Sequence, residues 1–277
     1  MIPAEGELGY LHAAILGVVE GLTEFLPVSS TGHLIVTNAL LGHSDPAFEV
    51  AIQAGAITAI LVRYWRALWR SLAQLWAPRD RAGGVNLLVG IVAAAVPAAV
   101  VGLFAEDAID AVLFDPLVVA IALVVGGAAL LWIERWLDRG ARPAARDLSQ
   151  LTLRDAVVIG CWQILALIPG TSRSGATIVG GLLTGLSRAA AAEFSFLVGL
   201  PILYGACVLK VADDFERMSG PMLPQLLIGS AVSFVTALLI VGPFVRFLQT
   251  HTFRPFGWYR IAAGIAIAAL IAAGVIG

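Results

Sequence analysis

Six long apolar segments are the feature that most limits how this 277-residue chain can fold. An α-helix rises about 1.5 Å per residue, so roughly 20 apolar residues are needed to cross the ~30 Å hydrocarbon core of a bilayer. Segments of this kind lie at approximately 48–66, 84–105, 116–136, 189–211, 222–247 and 256–275. They predict an all-α integral membrane protein with six transmembrane helices, organised as one polytopic domain over residues 1–277.

The composition agrees with a membrane protein and excludes other classes. Only 13% of the residues are charged, against about 25% in soluble domains. The net charge of -2 leaves no basic excess for a nucleic-acid backbone, so nucleic acid is not an expected partner. Because the chain is so apolar, membrane lipids are expected partners. Cys161 and Cys207 lack any metal-site spacing, and we expect both to be buried and reduced.

Two further apolar stretches, 8–42 and 153–185, are interrupted near their middles. Pro27 and Pro169 mark the interruptions, and a run of Ser, Thr and Gly follows each proline. Proline removes a backbone donor, and the freed polar groups survive in a bilayer only inside protein or a water-filled cavity. Both stretches therefore predict re-entrant helical hairpins.

The two interrupted stretches also resemble each other. FLPVSSTGHLIVTNALLG can be aligned with LIPGTSRSGATIVGGLLTG, which pairs Pro27 with Pro169 and Gly42 with Gly185. We interpret the chain as two repeats, at about 8–136 and about 151–275. Because an odd number of spans separates the hairpins, the repeats have inverted topology, and the broken tips are expected to meet near the midplane.

Arginine and lysine residues predict the orientation, because cytoplasmic loops carry an excess of them. One side collects Arg63, Arg66, Arg70, Arg79, Arg81, Arg135, Arg139, Arg142, Arg146, Arg154, Arg246, Arg254 and Arg260. The opposite loops hold Lys210 and Arg217 among Glu106, Asp107, Asp110, Asp115, Asp213, Asp214 and Glu216. We therefore expect the acidic side and both termini outside, with the first hairpin entering from outside and the second from the cytoplasm.

Five charged residues fall inside apolar stretches: Glu20, Glu24, Glu49, Glu193 and Arg173. Each would cost about 2.5 to 3.5 kcal/mol near the bilayer centre, so each must pair, bind a cation or face water. Glu20 and Glu24 lie four residues apart and share a helix face. A divalent cation, Mg²⁺ or Ca²⁺, would relieve their repulsion. Alternatively, one is protonated and the other pairs with Arg173.

The first interruption carries hydroxyl groups and an imidazole. Ser29, Ser30 and Thr31 precede Gly32, which permits close backbone approach at the start of a helix. Free N–H groups at a helix start bind anions, phosphate above all, although simple N-capping is the alternative. His33 suits proton transfer or nucleophilic attack, and the alternative is a core histidine.

The second interruption adds a fixed positive charge. Arg173 stands between Ser172 and Ser174, and its planar fork matches a phosphate bidentately. A salt bridge to Glu193 or Glu20 is the alternative. Carboxylates, arginine, hydroxyls and helix N-termini are the recurring parts of phosphoryl transfer. A site at membrane depth favours a phosphorylated lipid as substrate.

The segments EGLTEFLPVSSTGH and PGTSRSG resemble the undecaprenyl-pyrophosphate phosphatase family of bacteria, the bacitracin-resistance type. The resemblance covers almost the whole chain and includes FEVAIQAG and EFSFLVGLP. It implies hydrolysis of undecaprenyl diphosphate to the monophosphate and inorganic phosphate, which recycles the lipid carrier for peptidoglycan. It also implies a divalent cation and an active site in the inner membrane that opens to the outer face.

The residue chemistry and the resemblance together give the expected roles. Ser30, His33, Glu24 and Arg173 are predicted as catalytic, and Glu20 and Glu24 as metal ligands. The predicted substrate-binding residues are Ser29, Thr31, Ser172, Ser174, Arg173 and Gln53.

Several questions stay open at this point. Our hypothesis has Ser30 attacking the terminal phosphorus while His33 or Glu24 takes its proton; attack by His33 itself or by a metal-bound water is the variant. A polyprenyl-phosphate transporter or flippase with the same midplane site is the alternative function, because inverted repeats with broken helices are typical of transporters. Small-residue stripes suit internal packing and a homodimer equally well.

Overall fold

The computed structural model describes residues 8–42, 45–75, 85–113, 115–139 and 145–276, with side chains for all of these except 105–113. Within these ranges the chain is helical, and an isolated bridge between Arg146 and Leu186 is the one strand-like pairing. Part of the charge pattern, including Arg79, Arg81 and Arg142, lies outside the described residues.

In the described ranges six helices are long and apolar enough to cross a membrane, which confirms the predicted spans. They are α3 (Pro46–Ala73), α4 (Leu87–Leu113), α5 (Pro116–Arg139), α8 (Arg188–Asp213), α10 (Leu223–Leu248) and α11 (Arg254–Ala272). The protein is therefore an all-α, multi-pass membrane protein.

Four shorter helices form the two interrupted stretches. They are α1 (Tyr10–Thr23), α2 (Ser30–Leu41), α6 (Leu153–Gln163) and α7 (Arg173–Leu183); α9 (Phe215–Ser219) is a short connector. Single 3₁₀ turns cover Leu148–Gln150 and Ile164–Leu167. The longest of the four, α1, has 14 residues, and at about 1.5 Å per residue it reaches only ~21 Å. Short helices joined at a proline break are compatible with the predicted re-entrant hairpins.

Each interrupted stretch packs against a span from the other half of the chain: α1 lies on α10, and α6 lies on α4. Glycines permit both contacts. A Cβ on Gly17 would lie 2.4 Å from the carbonyl oxygen of Gly229, and a Cβ on Gly160 would lie 2.5 Å from that of Ala94. This exchange of partners is compatible with an inverted repeat, whose boundaries stay a prediction.

Two expectations from the sequence are wrong. Arg260 is 1% exposed inside α11, so it does not belong to the basic cytoplasmic loops. Cys161 is exposed on α6, whereas Cys207 is buried as expected. Hydropathy alone could not separate these cases, because side-chain direction on a helix decides them.

Candidate active site

The two interruptions lie side by side in the fold. We call residues 24–29 the first break and residues 164–172 the second break. Ser174, just beyond the second break, donates a hydrogen bond from Oγ to the carbonyl oxygen of Leu26 at 3.0 Å. Arg260 donates to Pro27 in the first break and to Gly170 and Thr171 in the second. Loops about 140 residues apart in sequence are thus in direct contact.

A serine in an unusual backbone conformation ends each break. Ser29 and Ser172 both have φ 71°, and they are the two non-glycine residues with positive φ in the described part of the chain. Such conformations cost about 1 to 3 kcal/mol and persist only where the surroundings impose them. Each serine precedes the first residue of a helix, Ser30 of α2 or Arg173 of α7.

A cavity of about 160 Å³ lies between the breaks. Seven predicted residues line it: Glu24, Ser29, Ser30, Thr31, Gln53, Ser172 and Arg173. The rest of its wall is Ala166, Ile168, Pro169, Gly170 and Leu203. Glu20, His33 and Ser174 are not among the lining residues. The first turns of α2 and α7 therefore face one cavity, with a carboxylate and a guanidinium at its surface.

Glu24 joins the polar groups of the two breaks. Its Oε1 lies 3.1 Å from Nη2 of Arg173, and its Oε2 accepts a hydrogen bond of 2.7 Å from Oγ of Ser30. The exposed fractions of the Glu24 and Arg173 side chains are 6% and 8%. The acid that pairs with Arg173 is thus Glu24, one of the three partners that the sequence alternatives allowed, and not Glu193 or Glu20.

The Ser30 and Glu24 pair has the geometry of a nucleophile with its base. The hydroxyl and the carboxylate are within the distance that proton transfer requires, about 2.6 to 3.2 Å. Nη1 of Arg173 donates to the backbone oxygen of Ser195 at 2.6 Å, which fixes the guanidinium beside the pair. The hydroxyl of Ser30, the carboxylate of Glu24 and the guanidinium of Arg173 therefore lie together in this structure.

Glu20 is fully buried, and in the described part of the chain no donor group hydrogen-bonds to either of its carboxylate oxygens. The side chain within hydrogen-bonding reach is that of Glu24, another acid. The charged groups that act on Glu20 are Glu24, Glu49 and Arg173. A buried carboxylate without a donor is unfavourable, and a proton or a cation would satisfy it. Among the described residues no cluster of three His, Cys, Asp or Glu could hold a metal. Two carboxylates still fit Mg²⁺, which commonly takes one or two together with waters and phosphate oxygens.

His33 is the fourth residue of α2 and does not line the cavity. Its Nδ1 is 2.7 Å from the carbonyl oxygen of Ser29, and its Nε2 is 2.6 Å from the hydroxyl of Tyr259. A carbonyl can only accept, so Nδ1 carries a proton and, in the neutral ring, the lone pair of Nε2 faces Tyr259. Both ring nitrogens are therefore engaged, and His33 links the strained Ser29 to α11.

The model of the family described as bacitracin resistance protein BacA matches residues 13–266. The chain belongs to the BacA family.

Curated members of this family resemble the chain over nearly its whole length. Undecaprenyl-diphosphatase 1 of Chromobacterium violaceum is 46% identical over 260 residues, covering 92% of this chain and 94% of the relative. Undecaprenyl-diphosphatase 1 of Oenococcus oeni is 43% identical over 284 residues, covering 97% and 99%. Undecaprenyl-diphosphatase of a Polaromonas species is 44% identical over 270 residues, covering 96% of each.

Tyr259 and Arg260 are residues of this BacA-family site that the sequence analysis missed. A signal was present, since Arg260 falls inside the apolar segment 256–275 and would be as costly there as Arg173. Its position near one end of that segment led to its assignment to a loop. Ser195 was also missed, because its contribution is a backbone oxygen.

The breaks and α2 contact α5 in the half that begins at Pro116. A Cβ on Gly170 would lie 2.6 Å from the backbone oxygen of Val119, and a Cβ on Gly32 would lie 2.9 Å from Leu123. At about 1.5 Å per residue, these contacts are only ~5 to 10 Å from the first residue of α5, Pro116. In the predicted orientation of this BacA-family chain, that end is the outer one.

Proposed function

We propose that this protein hydrolyses undecaprenyl diphosphate to undecaprenyl phosphate and inorganic phosphate. The observation that carries the proposal is the hydrogen-bonded series from Ser30 through Glu24 to Arg173 across the two breaks. The names of the curated relatives support the same reaction and substrate.

Substrate binding follows from the charges at the cavity. Arg173 and the free N–H groups of the first turns of α2 and α7 would hold the diphosphate. Ser29, Thr31, Ser172 and Gln53 would supply further hydrogen bonds, whereas the hydroxyl of Ser174 joins the breaks through Leu26. Arg173 exchanges part of its contact with Glu24 for phosphate oxygens, which frees the carboxylate to act as a base.

In the proposed reaction, Oγ of Ser30 forms a bond to the terminal phosphorus while the anhydride P–O bond breaks. The Ser30 proton moves to Glu24, and the leaving group is the lipid monophosphate. Glu24 passes this proton to the departing lipid monophosphate and is again ionised. Water then attacks the phosphorus of the Ser30 ester; Glu24 takes a proton from the water and returns it to Oγ of Ser30 as the ester P–O bond breaks and inorganic phosphate leaves. We favour Ser30 over His33 as nucleophile because both ring nitrogens of His33 are engaged by Ser29 and Tyr259.

Glu20 and Glu24 would hold a divalent cation, Mg²⁺ or Ca²⁺. When bound, the cation would neutralise negative charge on the phosphate oxygens. The buried carboxylate of Glu20, which accepts no hydrogen bond from the described residues, supports this assignment.

We place the protein in the bacterial inner membrane with both termini outside and the cavity open to the outer face. Contacts near the Pro116 end of α5 support the outward opening. The apolar part of the cavity wall, Ala166, Ile168 and Leu203, suits the first units of a prenyl chain. A homodimer stays an open alternative. We do not favour the transporter, in which Ser30 and its base would have no role.

Phosphate release by purified protein in detergent tests the proposal. Undecaprenyl diphosphate with Mg²⁺ or Ca²⁺ should yield inorganic phosphate, and soluble pyrophosphate should yield far less. Ser30→Ala should abolish release, whereas Ser219→Ala, at an exposed position on α9, should not change it. Acid-quenched reactions should contain phosphate on Ser30. Binding of the lipid without any release would instead support a carrier.

A further inference from the structure

Among the described residues Arg260 is the most completely buried basic residue, and the proposed reaction leaves it without a role. It is 1% exposed, and in the described ranges it forms no salt bridge. Its guanidinium donates instead to five backbone carbonyl oxygens, at 3.4, 3.2, 3.3, 3.1 and 2.8 Å. In that order the acceptors are Leu123 and Ala122 of α5, Pro27 of the first break, and Gly170 and Thr171 of the second break.

These hydrogen bonds satisfy both the carbonyl groups of the breaks and the buried guanidinium. The breaks leave carbonyl groups without helical donors inside a membrane protein, where an unsatisfied backbone group is strongly unfavourable. Arginine offers five N–H donors in a planar fork that cannot lose its charge. One side chain therefore satisfies both breaks at once, and the rigid fork sets the distance between them.

The surrounding glycines leave room for this one guanidinium. A Cβ on Gly126 of α5 would lie 2.1 Å from Nη2 of Arg260 and 2.7 Å from Cζ. A Cβ on Gly175 of α7 would lie 2.9 Å from Nη1. Two positions on different helices thus accept the arginine only because they lack a side chain. The position of the guanidinium is built into the packing.

We propose that Arg260 is the positioning residue that joins the two breaks into one catalytic cavity. Pro27 lies three residues before Ser30, and Thr171 lies two residues before Arg173. Holding the carbonyl oxygens of Pro27 and Thr171 on one guanidinium fixes the separation of the nucleophile from the phosphate-binding arginine. Arg260 itself is not among the residues that line the cavity, so it acts through the backbone of the breaks. This inference rests on the proposed function.

The neighbouring residue in α11 reinforces the arrangement. Tyr259 contacts His33, and His33 contacts the carbonyl oxygen of the strained Ser29. Two consecutive residues of one helix therefore hold the first break at two carbonyl groups, those of Pro27 and Ser29. Placement to within a fraction of an ångström matters, because a misplacement of about 1 Å can cost roughly 100-fold in rate.

A double-mutant cycle in the full-length protein tests this role. Arg260→Met removes the guanidinium, and Gly126→Ala displaces it without removing any charge. Gly205→Ala on α8 is the matched control, because a Cβ there meets nothing within 4 Å. For each variant, phosphate release from undecaprenyl diphosphate gives kcat and KM, and thermal unfolding gives the midpoint in the same detergent.

We expect Arg260→Met to lower kcat/KM by about 100-fold or more, mainly through kcat, since Arg173 and both helix N-termini still bind phosphate. Gly126→Ala should lower kcat/KM by about tenfold or more alone, but less than about twofold in the Arg260→Met background, because the two changes act through one group. Gly205→Ala should match the unaltered protein.

Equal effects of Gly126→Ala in both backgrounds would overturn the proposal, as would Arg260→Met with near-normal kcat. If Arg260→Met does not yield folded protein, Gly126→Ala compared with Gly205→Ala decides. Loss of activity only in proportion to loss of folded protein would then argue for a purely structural arginine. If the unaltered protein releases no phosphate, the proposed function fails; if it does and the variants match it, only the role of Arg260 fails.

Discussion

Ser29 and Ser172 share one backbone conformation, with φ 71° in both and ψ of 103° and 114°. They are 143 residues apart, the same separation that places Gly42 against Gly185, two glycines that also have positive φ. Both serines precede the helix whose first turn lines the cavity. The same strained conformation therefore occurs once in each break. It lies where the chain enters the helix that would bind phosphate.

This strain predicts an unusual ranking of substitutions at Ser172. Alanine would lose the cap to the N–H of Gly175 and keep the strain, whereas glycine adopts positive φ without it. At position 172 the glycine variant should therefore be more stable than the alanine variant. This difference in the free energy of unfolding should exceed the corresponding difference at Ser187 by about 1 kcal/mol or more. Ser187 caps α8 with an ordinary φ of -64°. Unfolding in mixed micelles measures the difference, and equal advantages at both positions would argue against strain.

Gly199 controls the position of Arg173. A Cβ at Gly199 would lie 2.7 to 2.8 Å from three guanidinium atoms of Arg173. Gly199→Ala should lower kcat/KM about tenfold or more by displacing the guanidinium. The unfolding midpoint should not fall sharply, since alanine favours the helix. Gly205→Ala, on the same helix, serves as the control. Normal turnover in Gly199→Ala would mean that Arg173 need not lie where the structure places it.

Arg173→Lys should impair turnover strongly although it conserves charge. The arginine contacts Glu24 with one terminal nitrogen and the backbone oxygen of Ser195 with the other. A lysine ammonium is a point donor and cannot hold both while facing a phosphate. Steady-state kinetics should give at least about a 100-fold loss in kcat/KM, comparable to the loss of a key oxyanion donor. Arg254→Lys, at an exposed position on α11, should be silent.

Glu20→Gln separates the cation from the proton as the partner of this buried acid. If a cation binds there, the variant should need a higher Mg²⁺ or Ca²⁺ concentration for half-maximal activity. In a chelator, the variant should be at least as stable as the unaltered protein, because the unpartnered carboxylate is gone. Added metal should stabilise the unaltered protein more, by up to about 2.7 kcal/mol at 100-fold excess over Kd. If Glu20→Gln and the unaltered protein gave identical metal titrations of activity and of unfolding, the cation would have to bind at another site.

Reporter fusions test the orientation. A reporter that works only outside the cytoplasm should be active when it is fused at Gly277. A reporter that works only in the cytoplasm should be active when it is placed in the connector after Arg142. The structure removes Arg260 from the basic side, but the remaining arginines still favour that side as cytoplasmic. A cytoplasmic signal from the Gly277 fusion would reverse the predicted opening of the cavity.

Much of this architecture could be predicted from local sequence. Six spans follow from segment length and hydropathy, and both breaks follow from a proline with hydroxyl residues inside an apolar stretch. The residues around the cavity were also accessible, because charges inside apolar stretches are costly and so stand out. Glu24, Ser30 and Arg173 were identified in this way, and the structure brings them together.

Tertiary structure alone decided which of these groups are partners. Sequence spacing left Arg173 a choice among several acids, and only the packing of α7 against α8 and the contact between the breaks selects Glu24. The same holds for Arg260, whose carbonyl partners belong to three separate segments of the chain. Hydropathy and helical periodicity act over a few turns and so determine spans and breaks. Hydrogen bonds are formed or lost over less than 1 Å or so, a scale that only the assembled helices define.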